Sequence, residues 1–143
     1  GWLSTITLVN LDSTPAPYQL RLYDKTGQPM ALSLNGALNS TFSGLIPPLT
    51  SVTLTTPGTS STLLEGWADL TSANRIRAQL MFDQVLPNSP VFEAAVPAIG
   101  DGHTALATPF DNTGVLVTSM AVANFSLPSF LCAISLSSGI HSK

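Results

Sequence analysis

Turn-forming residues interrupt this chain about every 8 to 12 positions, and that spacing constrains the fold more than any other feature. The inserts TPG at 56–58, IPP at 46–48, LPNSP at 86–90 and AIGDG at 98–102 leave no window of a dozen residues for a helical i, i+3, i+4, i+7 stripe. Between the inserts the pattern has period two. In YQLRLYD (18–24), Tyr18, Leu20 and Leu22 fall on one face and Gln19, Arg21 and Tyr23 on the other, as in a half-buried strand. Further strands are expected at 31–34, 51–56, 63–70, 76–84, 91–96, 104–110, 115–124 and 130–136. Connections this short cannot make the long crossovers of parallel pairing, so the sheets should be antiparallel. The expected fold is therefore all-β: an antiparallel β-sandwich, immunoglobulin-like in broad form. Its expected core contains Leu20, Leu22, Val52, Leu54, Leu64, Leu70, Leu80, Phe82, Leu106, Val122 and Ile134. Most prolines, Pro15 and Pro17 among them, are expected between strands.

Composition fits such a fold and excludes several functions. Apolar residues make up 44 % of the 143, enough for one core, so the chain is not of the disordered class. Charged residues are only 9 %, and 17 Ser and 16 Thr must carry much of the hydration. The net charge is −3 and the largest basic cluster is the pair Arg75/Arg77, which argues against nucleic-acid binding. No apolar run is long enough for a membrane-spanning helix. Cys132 is the only cysteine, so an intrachain disulfide or a cysteine-based metal site is excluded, and its setting in FLCAISL reads as a buried small hydrophobe.

The chain repeats itself. TITLVN at 5–10 returns as SMAVAN at 119–124, each followed by a Pro-containing turn, a second strand and a glycine. Asn10 aligns with Asn124, and Leu20, Leu22 and Gly27 align with Ile134, Leu136 and Gly139. The separation is close to the length of one sandwich of about 100 residues. The expected organisation is one unit at 1–114 and the first hairpin of a second at 115–143, packed on the first unit or awaiting another module. With no initiator Met, the chain reads as a piece of something longer.

WLSTITLVN, GWADL (66–70), FEAAVP (92–97), PFDNTG (109–114) and MAVAN together resemble an uncharacterised group of secreted or surface-displayed bacterial β-sandwich repeats. The resemblance implies export, tandem occurrence within longer proteins and an extracellular or cell-surface location. It implies no catalytic residues. The closing SSGIHSK departs from a continuing second unit.

Signals for chemistry are sparse. There is no G-x-S-x-G, and His103 and His141 are the only histidines. Asp101 and His103 could supply two metal ligands, but GDG is an ordinary turn; Asp111 and Asn112 similarly read as a hairpin turn, with calcium as the alternative. Glu65 and Asp69 share a strand face at about 13 Å, too far for a catalytic pair, whereas Asp83 and Glu93 could face each other across a hairpin. Asn39 and Asn124 match the glycosylation sequon, which matters only in a glycosylating host. Trp67 shares the face of Glu65 and Asp69 while Leu64, Ala68 and Leu70 mark the core side. A partly exposed Trp beside two carboxylates could stack on a sugar ring. The expected function is a non-catalytic structural or adhesive module without cofactor or metal, contacting neighbouring modules or its own copies. A carbohydrate- or protein-binding face at Glu65, Trp67 and Asp69 is the alternative.

Overall fold

The computed structural model describes residues 2–60, 62–84 and 92–99. Contacts divide the chain into two compact units, Gly1–Gly100 and Asp101–Lys143, and all of those residues belong to the first. The strands expected at 104–110, 115–124 and 130–136 lie outside the described residues, as do Leu106, Val122, Ile134, Cys132, Asn124 and the boundary at 114. So do Asp101/His103 and Asp111/Asn112.

The strands are β1 (Trp2–Asn10), β2 (Ala16–Asp24), β3 (Leu32–Leu34), β4 (Ala37–Asn39), β5 (Thr41–Ile46), β6 (Ser51–Thr55), β7 (Gly66–Thr71), β8 (Ile76–Gln84) and β9 (Phe92–Pro97). They form a four-stranded sheet in the order β6-β1-β8-β9, a three-stranded sheet β5-β2-β7 and the two-stranded hairpin β3-β4. Every pairing is antiparallel, so the fold is all-β with antiparallel sheets, and the architecture is consistent with a sandwich of two open sheets.

The period-two pattern of β2 works as expected: Ala16, Tyr18, Leu20 and Leu22 are buried and alternate with more exposed neighbours. One core draws on both larger sheets, with Ile6, Leu8 and Leu54 from the first, the four β2 residues and Ile46 from the second, and Leu34 from the hairpin. Leu8 and Ile46 are wholly buried, and burying each such side chain contributes about 1.5–3 kcal/mol. Val52, Leu70 and Leu80 pack against this core from its margin.

Leu64 is a correction. It is half-exposed, because the strand expected from residue 63 begins only at Gly66 and leaves Leu63, Leu64 and Glu65 in the preceding loop. Ala68, on the inward side of β7, is exposed as well. Pro17 lies inside β2 rather than between strands, opposite Leu45.

Strand β5 escaped the sequence pattern for a physical reason. Its inward position opposite Tyr18 is Gly44, and a Cβ there would stand 2.8 Å from the tyrosine ring. The ring fills space that a strand side chain ordinarily takes, so the segment reads as a turn. The β3–β4 hairpin, whose second strand the sequence reading did not place, turns at Asn35 and Gly36, a two-residue turn with φ of 48° and 84°. Asn-Gly is favoured in turns needing positive φ at both central positions.

Candidate functional site

Three turns carry the chain from one sheet to the other, at 11–15, 47–50 and 72–75, and they meet at one end of the unit. Asn10, at the end of β1, binds them together. It is 1 % exposed, and its amide nitrogen lies within hydrogen-bond distance of the carbonyls of Thr14 (2.8 Å), Pro47 (3.0 Å) and Ile46 (3.2 Å). Its side-chain oxygen accepts the Asp12 N–H at 2.9 Å. Asp12 then receives the Arg75 backbone N–H at 2.9 Å and its guanidinium at 2.7 Å. Sequence repetition singled out Asn10, but only the fold shows why an amide stands there: one group must both donate and accept in a buried corner.

The ligand face expected from sequence lies on the outward side of β5-β2-β7. Trp67 is opposite Tyr23, and their rings stack with centroids 4.4 Å apart and planes inclined by 20°. Asp69 is opposite Arg21 and pairs with its guanidinium at 3.4 Å. Glu65 is exposed in the loop before the strand, so the three expected residues do not form one row on β7. What sequence reasoning missed is Tyr23 as the stacking partner, although the alternation had placed it on the outward face of β2. The facing sides of the two rings are occupied by each other, and Trp67 is half-buried. A shallow depression of about 340 Å³ is lined by Asp24, Lys25, Met30, Leu63, Leu64 and Glu65, among others, with neither ring in its lining. Its exposed leucines and mixed charges suit a contact surface.

Asp83 and Glu93 are cross-strand partners in the β8–β9 register, as the hairpin reading anticipated, with Leu3 opposite Asp83 on its other side. Among the described residues no group of three His, Cys, Asp or Glu side chains could hold a metal ion.

Two carboxyls are held below the ordinary aspartate range. The Arg75 backbone N–H, followed by the Arg75 side chain, holds Asp12 down. The Thr26 hydroxyl, followed by the Gln28 N–H, does the same for Asp24, which folds the β2–β3 turn around its own side chain. Depressed folded values mean that the stabilisation is complete above the unfolded aspartate value of about 3.9 and is lost as pH falls through the lower folded values. The urea midpoint should accordingly stay level from neutral pH to about 5 and drop below about 4. In an Asp12→Asn/Asp24→Asn double variant that acid limb should be shallower; an unchanged limb would remove these two groups as its source.

No protein-family model matches this chain, and no curated protein or solved structure matches it either.

Proposed function

We propose that the chain is a non-catalytic structural or adhesive module of an exported bacterial protein, immunoglobulin-like in broad form, working at the cell exterior beside neighbouring modules or its own copies. The observation that supports this reading most is how three of its aspartates are used. Asp12 binds two crossing turns, Asp24 closes the β2–β3 turn and Asp69 pairs with Arg21, so each serves the chain's own architecture. The outward side of β6 and β1 adds to it: Thr5 faces Thr55 and Thr7 faces Thr53, a hydroxyl surface that hydrates without charge. A unit of this kind needs only to fold and to join its neighbour.

The second reading, a carbohydrate- or protein-binding face, is favoured by the Tyr23–Trp67 stack on the outward face and by the depression that exposed Glu65 helps to line. A glycan array probed with wild type and Trp67→Ala separates the two. Under the structural reading both proteins leave the array blank. A wild-type signal that Trp67→Ala abolishes would put the binding face first.

A further inference from the structure

Among the described residues the four-stranded sheet ends on β6, and the outer edge of that strand is engaged by the side chain of a turn residue. Asn35 donates from its amide nitrogen to the Thr53 carbonyl at 2.9 Å and accepts the Thr55 N–H on its side-chain oxygen at 2.9 Å. Its own backbone N–H donates to the Thr55 carbonyl at 2.9 Å. A carboxamide carries the same donor and acceptor as a peptide group, so Asn35 behaves as a short piece of neighbouring strand and blunts an edge that would otherwise invite pairing with another chain. The residue before it, Leu34, is 1 % exposed in the core. One amide therefore couples the edge of β6 to the seat of the hairpin.

The residue after it is Gly36, and Asn35 is the only one of the seven asparagines followed by glycine. With no side chain on the next residue, its backbone nitrogen reaches the asparagine carboxamide with the least hindrance. We propose that Asn35–Gly36 is a site of spontaneous deamidation, with water as co-reactant, and that the modification weakens the latch on the β6 edge. The Gly36 N–H loses its proton to a base in solvent, and the nitrogen attacks Cγ of Asn35. The N–Cγ bond forms, the Cγ–Nδ2 bond breaks, and Nδ2 departs with a proton as ammonia, leaving a five-membered imide. Water opens the imide at Cγ to give aspartate, or at the main-chain carbonyl to give isoaspartate. Nothing is oxidised or reduced.

Either product weakens the latch. Aspartate places an oxygen where Nδ2 donated to the Thr53 carbonyl, so attraction becomes repulsion between two acceptors. Isoaspartate in addition inserts a carbon into the main chain of a two-residue turn and displaces Leu34 from its buried seat. In aspartate the Thr53 carbonyl loses its donor while the Thr55 N–H keeps an acceptor, in isoaspartate the displaced turn takes both groups away, and in each case the edge is less well covered against a second copy of the chain. The native hydrogen bonds also restrain the carboxamide, so the reaction should follow fluctuations that open this edge.

The test is incubation of the folded full chain at mildly alkaline pH, followed over time by peptide mapping for the amide-to-acid mass change. Asn35 should convert ahead of the other six asparagines. The converted fraction should unfold at lower urea and elute earlier on size exclusion, while a sample kept mildly acidic should stay unchanged. The directly made Asn35→Asp should reproduce the lower midpoint and the earlier elution. Conversion that begins at another asparagine, or spares Asn35, overturns the site; an Asn35→Asp protein with wild-type midpoint and elution overturns the latch.

Discussion

Asn10→Asp should destabilise the protein by about 3–5 kcal/mol, the cost of an uncompensated charge in a buried site. The new carboxylate can still accept the Asp12 N–H, as the amide oxygen does. Its second oxygen, however, would face the carbonyls of Thr14, Ile46 and Pro47, three acceptors with nothing to share. Asn10→Ala should cost somewhat less, about 3 kcal/mol, because it leaves those groups unsatisfied without adding charge. Acid distinguishes the variants. Burial among acceptors raises the folded pKa of the introduced carboxyl, so its penalty shrinks as pH falls towards the unfolded value of about 3.9 and the group protonates. The gap between Asn10→Asp and wild type in urea midpoint should therefore narrow on acidification, whereas the Asn10→Ala gap stays level. Equal gaps at every pH would mean that the corner does not depend on the donors of Asn10.

Gly66→Ala should be the second severe substitution, at about 3 kcal/mol. An added Cβ would run into the backbone carbonyl of Tyr23 and come within 2.8 Å of the Met30 methyl. A backbone obstacle on the paired strand cannot rotate away, so β7 has to separate from β2 where they begin to pair, at Gly66 opposite Asp24. That movement also pulls Trp67 from Tyr23, which makes near-ultraviolet circular dichroism and tryptophan emission direct readouts. Gly44→Ala is the matched comparison: the three atoms nearest its Cβ would all belong to the Tyr18 side chain, which can shift, and its cost should be nearer 1 kcal/mol. A larger loss at Gly44 than at Gly66, with the Trp67 signal intact, would contradict this account of how β7 docks.

These two sites mark how far the sequence could be read. Alternation in 18–24 identified the buried face of β2, and it did so because half-burial of a strand imposes period two on side-chain polarity. It also placed Arg21 and Tyr23 on the outward face, where the structure pairs them with Asp69 and Trp67. The same rule overreached at Leu64, where apolar character continued into a loop, and failed at β5, whose inward residue is a glycine roofed by tyrosine. The candidate face was legible only as a list, Glu65, Trp67 and Asp69. Which of them gained partners depended on β2 lying next to β7, a pairing between segments far apart in the chain.

Local chemistry thus determined that this protein is all-β and antiparallel, since turn residues and alternation act within a few positions of each other. Tertiary structure alone decided that the carboxamide of Asn10 would tie two sheets together, that Asn35 would stand in for a missing strand on β6, and that the Trp67 ring would lie against Tyr23. Each of those outcomes is set by register between distant strands, where one amide or ring meets whichever group the sheet brings opposite. Nothing in a residue's immediate neighbours carries that information, because hydrogen bonds and ring contacts depend on separation in space and not on separation along the chain.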